Sequence, residues 1–264
     1  MNLTMREIRG KYRRTIFGQL WSLANPLALM LIYTVVFGFI LRIEPGKGDP
    51  SGLDSFALWL LCGLLPWTFF ATVLSQGVGS LVGNQNLIQK VYFPRILLPL
   101  SLVGSSVYNW LFEMVVLLIA LTILGSFVLP WLPLLLVIMM LLAVFATGIA
   151  LLVSVANVFF RDTQYFLSII LQIWFLLTPV IYPVSLVKTT SDSAGGLLGT
   201  PVIFIDIYQL NPLVHFVEVF RNLLYDNRWP ETADWVWCMG ASAVSISLGL
   251  LVFRRNERLL AESL

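Results

Sequence analysis

The stretch REIRGKYRR, residues 6–14, is followed two residues later by FGQLWSLANPLALMLIYTVVFGFIL, residues 17–41. Five positive charges, Arg6, Arg9, Lys11, Arg13 and Arg14, stand within nine residues, and the twenty-five residues from Phe17 carry none. Crossing a bilayer takes ~20 mostly apolar residues, so the uncharged run is long enough to span. Lys and Arg beside a span stay on the cytoplasmic side, which sets the N-terminus inside. A cleaved secretory leader has an apolar region of only ~7–15 residues and ends on small side chains. This run is longer and closes on Phe39-Ile40-Leu41, so it reads as a span.

The remainder repeats the pattern. Of 264 residues, 58% are hydrophobic and 11% charged, against about 25% charged in a soluble domain. The sequence predicts an all-α integral membrane protein forming one transmembrane domain. It has six spans, at about 21–41, 56–82, 100–124, 131–156, 164–182 and 235–253. Residues 1–20 are expected to form an amphipathic interface helix, held by apolar burial and by anionic lipid at ~1 kcal/mol per basic residue. With both termini inside, inner segments hold eleven Lys and Arg and outer segments five. That is the positive-inside bias. The outer segment 184–234 has three basic and six acidic residues. A net charge of +2 spread in this way is a topology signal, and nucleic acid is not an expected partner.

Several chemistries lack their residues. No G-x-x-x-x-G-K-[S/T] loop occurs, so this chain does not hold ATP by that device. There is one histidine, and no spacing suits a metal. Glu113 is the one acidic or basic residue inside the six stretches. Ion-coupled carriers place several such groups at mid-depth. A membrane enzyme would need an acidic or histidine cluster, and only Asp206, His215 and Glu218 come near one. Cys62 and Cys238 both fall in spans and read as apolar thiols.

Four segments carry more than span chemistry. The inner loop 83–99, GNQNLIQKVYFPRILLP, suits a short helix capped by Asn84 and ended by Pro94. Leu87, Ile88, Val91 and Tyr92 would project from it as a docking peg, or the loop would lie on the headgroups. Residues 211–226, NPLVHFVEVFRNLLYD, start well with Asn211 as cap and Pro212 at the first position. His215, Glu218, Arg221 and Asn222, then Tyr225, share one face, and Glu218 can pair with Arg221. The segment is too polar to span, and Thr178-Pro179 and Tyr182-Pro183 break the span before it. Broken helices re-entering the outer leaflet fit this pattern, provided protein buries them; an amphipathic helix on the outer headgroups is the alternative. Ser101, Ser105, Asn109 and Glu113 form a polar row on the third span, explained by interhelical hydrogen bonds or by a role in transport. Small residues at four-residue steps (Ser75, Gly79, Gly83 and Ala241, Ser245, Gly249) predict close helix contacts.

Taken together, the chain resembles the permease subunits of bacterial ABC exporters for O-antigen, teichoic acid and related cell-surface polysaccharides, within the type 2 ABC exporter superfamily. The resemblance rests on KYRRTIFGQLW at 11–21 leading to NPL at 25–27, on NLIQKVYFPR at 86–95, on NPL at 211–213 followed by Phe220-Arg221, and on Arg161-Asp162. It implies two copies of this chain forming a twelve-span pore in the cytoplasmic membrane, bound to two copies of a separate ATPase that holds ATP and Mg. The coupling helix would comprise Asn86, Leu87, Ile88, Lys90, Val91, Tyr92, Pro94 and Arg95, with Arg9, Lys11, Arg13 and Arg14 on the interface helix beside it. His215, Glu218, Arg221 and Asn222 would belong to the outer gate. A lipid-linked glycan would pass along aromatic side chains, for which Tyr33, Phe37, Trp174 and Phe175 are the candidates. An exporter of a drug or small lipid with the same architecture, a membrane enzyme of lipid-linked sugars and a secondary carrier stay as alternatives.

Overall fold

The computed structural model describes residues 20–42, 46–90, 93–187 and 208–263, together with Thr4, Met5 and Glu7. The interface-helix cations Arg9, Lys11, Arg13 and Arg14, and Val91 and Tyr92 of the inner loop, lie outside the described residues. Asp206 does too. The described residues form helices and turns with no strand. In chain order they are α1 (Trp21–Tyr33, continued to Ile40 with π winding), α2 (Phe56–Val78), α3 (Gln85–Lys90) and α4 (Leu97–Ile123). They continue with α5 (Leu132–Phe159), α6 (Thr163–Leu176), α7 (Pro212–Arg221, continued to Asp226 with π winding) and α8 (Thr232–Ser263).

Five of these segments are long and apolar enough to cross a bilayer: Trp21–Ile40, Phe56–Val78, Leu97–Ile123, Leu129–Phe159 and Thr232–Glu257. The expected fifth span is shorter than its apolar run. α6 ends after 14 residues, or about 21 Å at 1.5 Å per residue, short of the ~30 Å hydrocarbon layer. Thr178 precedes a proline, which disfavours helical backbone, and Pro179 has no N–H to continue the ladder. The freed end is taken over by side chains. Thr178 Oγ1 donates to Trp174 O (2.8 Å), and Asn211 Nδ2 donates to Leu177 O (3.1 Å).

α2 is the axis of the bundle. In its most apolar 18 residues 78% are buried, against 6% in α1, which lies at the periphery. The closest pairing is α5 with α8. A side chain at Gly148 would collide with the backbone of Ser245, and one at Gly249 with the carbonyl of Gly148. Ser242 and Ser245 turn their hydroxyls onto Leu141 O (2.9 Å) and Phe145 O (2.7 Å) across that contact. The stripe Ala241, Ser245, Gly249 therefore packs as expected. The stripe Ser75, Gly79, Gly83 does not: Ser75 is exposed, and a Cβ on Gly79 or Gly83 would meet nothing within 4 Å. Gly77 makes the close approach on α2 instead, with its Cβ position 2.8 Å from that of Ala150.

Candidate functional site: the cleft along the first span and the cap above it

The first and sixth helices open a cleft against α2, with a volume of ≈ 480 Å³. Tyr33 of α1, Trp67 of α2 and Phe175 of α6 line it, and Asn25, Thr72 and Gln172 supply polar groups. Three of the four aromatic candidates meet here. Phe37 stands edge-on to Tyr33 at 6.0 Å between centroids, and Tyr33 stacks on Phe175 at 6.0 Å and 25°. Phe175 reaches Trp67 at 5.4 Å. Trp67 has no mark in the sequence beyond being a Trp inside a span; only the helix packing brings it to this row. Trp174 faces the other way. Its ring stands edge-on to Phe70 (5.2 Å) in the core, and its Nε1–H donates to Asn211 Oδ1 (2.8 Å). The next residue along a helix points about 100° away, which separates Trp174 from Phe175.

A cap built on α7 closes one end of the bundle. Asn211 Oδ1 accepts from Leu213 N (3.1 Å), so the expected N-cap is made. The polar face of α7 does not lie on headgroups, because His215, Arg221 and Asn222 are all buried. Arg221 is 3% exposed. Its guanidinium lies 3.5 Å over the Trp59 ring, and its Nη2 donates to Val180 O (2.8 Å). Glu218 approaches Nη1 at 3.7 Å, the expected pair. Gly63 makes room for it, since a Cβ there would sit 3.0 Å from Nη2. Both ring nitrogens of His215 face acceptors, Asp234 Oδ1 at 2.7 Å and Gln209 O at 2.8 Å. That ring stacks on Trp237 at 5.3 Å and 4°. Asn222 holds Arg228 through its Oδ1 (2.6 Å) and its carbonyl (2.9 Å).

The loop between the first two spans is tied to the same cap. The Tyr225 hydroxyl donates to Leu53 O (2.9 Å), Ser51 Oγ donates to Tyr225 O (2.5 Å), and Ser51 N donates to Asp226 O (3.0 Å). Burial raises the Asp226 carboxyl above the ordinary range, and Arg228 at 3.3 Å opposes that.

At the other end, α3 is present but turned differently from the expected peg. Leu87 and Ile88 face inward, packing with Phe93 and Ile96 against Leu98, Leu151 and Phe253. Burial of apolar side chains decides that orientation. Asn86, Lys90 and Pro94 are exposed. The chain already winds helically through Val82–Asn84 before α3, and Asn84 Nδ2 donates back to Ser80 O (2.9 Å). Arg95 donates from Nη1 to the carbonyl of Glu257, tying the loop to the C-terminal part of α8. Within the bilayer, Ser101, Ser105, Asn109 and Glu113 all lie buried on one side of α4. Cys62 and Cys238 are free thiols, both buried.

Comparison with known proteins agrees with this architecture. The O-antigen export system permease protein RfbA of Myxococcus xanthus is 27% identical over 264 residues, covering 100% of this chain and 94% of that protein. RfbA of Klebsiella pneumoniae is 29% identical over 222 residues, 84% of this chain and 78% of its own length. The polysialic acid transport protein KpsM of Escherichia coli is 25% identical, covering 99% and 94%. The signature of the ABC-2 type transporter matches residues 1–225. A multi-pass helical protein with that signature over most of its length belongs to the ABC-2 type transporter family.

Proposed function

We propose that this chain is the permease subunit of an exporter that carries a lipid-linked polysaccharide across the cytoplasmic membrane. A separate ATPase, which holds ATP and Mg, would drive it. The observation that carries the reading is the cleft of α1, α2 and α6. A row of aromatic rings, Phe37, Tyr33, Phe175 and Trp67, runs beside amides and hydroxyls at membrane depth. Sugar rings present C–H faces to aromatic planes and hydroxyls to amides, so such a wall suits a glycan chain better than a uniformly apolar cargo. The relatives' names point to the same cargo class.

In this reading two copies assemble with their first and sixth helices (α1 and α6) facing each other, so that two clefts form one path. The N-terminus, α3 and the end of α8 lie in the cytoplasm, where Asn86 and Lys90 meet the ATPase. Arg95 and the inward-facing Leu87 and Ile88 hold α3 to α8 and pass movement to the bundle. The cap of α7, with His215, Glu218, Arg221 and Asn222, covers the outer end and opens when α1 and α6 separate. The test is purification of the tagged chain from its host in mild detergent, with mass spectrometry of bound proteins and lipids. A stoichiometric partner with a phosphate-loop ATPase motif, and loss of surface glycan on deletion, is the expected result. A chain that comes alone under several detergents overturns it. An associated ATPase with surface glycans intact on deletion would favour a drug or small-lipid cargo.

A further inference from the structure

Three helices each turn a polar row into the cleft of α1, α2 and α6. On α2 the row is Thr68, Thr72 and Gln76, at four-residue steps. On α1 it is Asn25 and Tyr33, eight residues apart, and on α6 it is Ser168 and Gln172. Residues four apart share one helix face, so each row follows its helix. The α2 row runs about 12 Å at 1.5 Å per residue. Two of the rows lie in segments otherwise apolar enough to cross a bilayer, Trp21–Ile40 and Phe56–Val78.

These groups keep bonding capacity toward the cleft. Asn25 and Gln172 are exposed, and neither side chain makes a hydrogen bond among the described residues. The Thr68 hydroxyl donates to Leu65 O (3.0 Å) and that of Ser168 to Tyr165 O (2.7 Å). Both oxygens stay open as acceptors. Gln76 Oε1 accepts from Ser106 Oγ (3.3 Å), which leaves its amide hydrogens as donors.

Among the described residues, no Asp, Glu, Lys or Arg lines this cleft. Glu113 lines a second cavity, of ≈ 440 Å³, on the other side of α1 against α2 and α4. Sugar hydroxyls donate and accept, so they match a wall of amides and hydroxyls. A carboxylate or phosphate would leave water with no cation to meet it, which is expensive. Pathways built for anions place Lys or Arg along their walls. A second copy facing the first repeats the same described lining and adds no charge.

We propose that the cleft selects a glycan whose repeating units are uncharged and rejects one whose repeats carry carboxylate or phosphate. This selection rests on the export reading and narrows it from glycans in general to neutral ones.

The test compares the surface polysaccharides of the host with and without this chain. The polymer lost on deletion should contain no uronic acid, sialic acid or phosphate in its repeat, by sugar analysis and phosphorus assay. A lost polymer with an anionic group in every repeat overturns the selection and leaves the export reading standing. Surface polysaccharides that are all intact overturn the export reading, and the selection falls with it. Gln172→Leu and Gln172→Glu then place the selection in the cleft. At equal protein in the membrane, Gln172→Leu should cut export severalfold, while Gln172→Glu, still able to accept from hydroxyls, should keep at least half. Export lower in Gln172→Glu than in Gln172→Leu is the order that an anionic cargo gives and overturns the proposal. Export unchanged in both removes the selection from this cleft. Ser168→Val against Ser168→Asp repeats the comparison should a Gln172 variant fail to accumulate.

Discussion

Arg221 shows how much one side chain settles. A guanidinium keeps its charge at neutral pH and is expensive to bury unless its donors are met. Here a ring face, a carbonyl and a carboxylate surround it, on the floor that Gly63 leaves open, although Nε and Nη1 make no hydrogen bond among the described residues. Reading Glu218 as its main partner suggests that a charge swap would restore function. The geometry predicts otherwise. Arg221→Glu should abolish export, and Glu218→Arg should not rescue it, because Trp59 and Val180 O cannot hold a carboxylate. Arg221→Met should lower the melting point of the purified complex, losing a cation–π contact of roughly 2 kcal/mol and leaving Val180 O unpaired. Export by the swapped double variant at half the normal rate or more would refute this. The cleft aromatics make a contrasting prediction. Tyr33→Ala and Phe175→Ala should cut glycan export severalfold while ATP hydrolysis and melting point hold, whereas Trp174→Ala should destabilise the fold. Its indole holds Asn211, which caps both α6 and α7. Thermal melts beside export assays separate the two kinds of aromatic.

At the scale of elements, α3 and the α5–α8 pair bracket what is exchangeable. Lys90 is exposed on α3, so Lys90→Glu should leave the protein folded and reduce ATPase-coupled export. Leu87→Ala, by contrast, should loosen the loop from α8, since Leu87 packs inward. A fully stable, uncoupled Leu87→Ala would mean that this side chain works outward after all. Along α5 and α8, backbone approaches backbone at Gly148 and Gly249. Gly148→Leu forces the helices apart. Overpacking of that kind costs about 1–3 kcal/mol, read as a lower melting temperature or loss of the protein from the membrane.

At the scale of the whole molecule, α1 is the exception. Only Pro26 of its helical residues is buried, while Leu31, Ile32 and Phe39 stay more than half exposed in the single chain. In a bilayer that surface meets lipid, or a second copy across the path proposed above. Orientation can be checked directly. With Cys62 and Cys238 replaced, Lys47→Cys should react with an impermeant maleimide added to intact cells, and Lys90→Cys only after the membrane is opened. The reverse pattern would invert the topology.

How far the fold was legible follows from the physics of its parts. Runs without charge are a one-dimensional property, and no bilayer core tolerates unpaired charges, so five of the spans and the polar start of α7 could be read by eye. The Asn211-Pro212 helix start and the break at Thr178-Pro179 follow from local backbone chemistry and were equally plain. The inward turn of Leu87 and Ile88, the idle stripe at Ser75, Gly79 and Gly83, and the split between Trp174 and Phe175 were not. Each depends on which neighbour covers a face, which a helix cannot specify alone. Sequence by itself determined that this chain is a helical membrane protein with a basic segment before its first span and a helix broken at Thr178-Pro179. Only tertiary structure decided that the first and sixth helices open a cleft walled by aromatic rings, that Arg221 lies buried against Trp59, and that α1 parts two cavities. The reason is that hydropathy is summed along the chain, whereas a cavity is made by residues far apart in it.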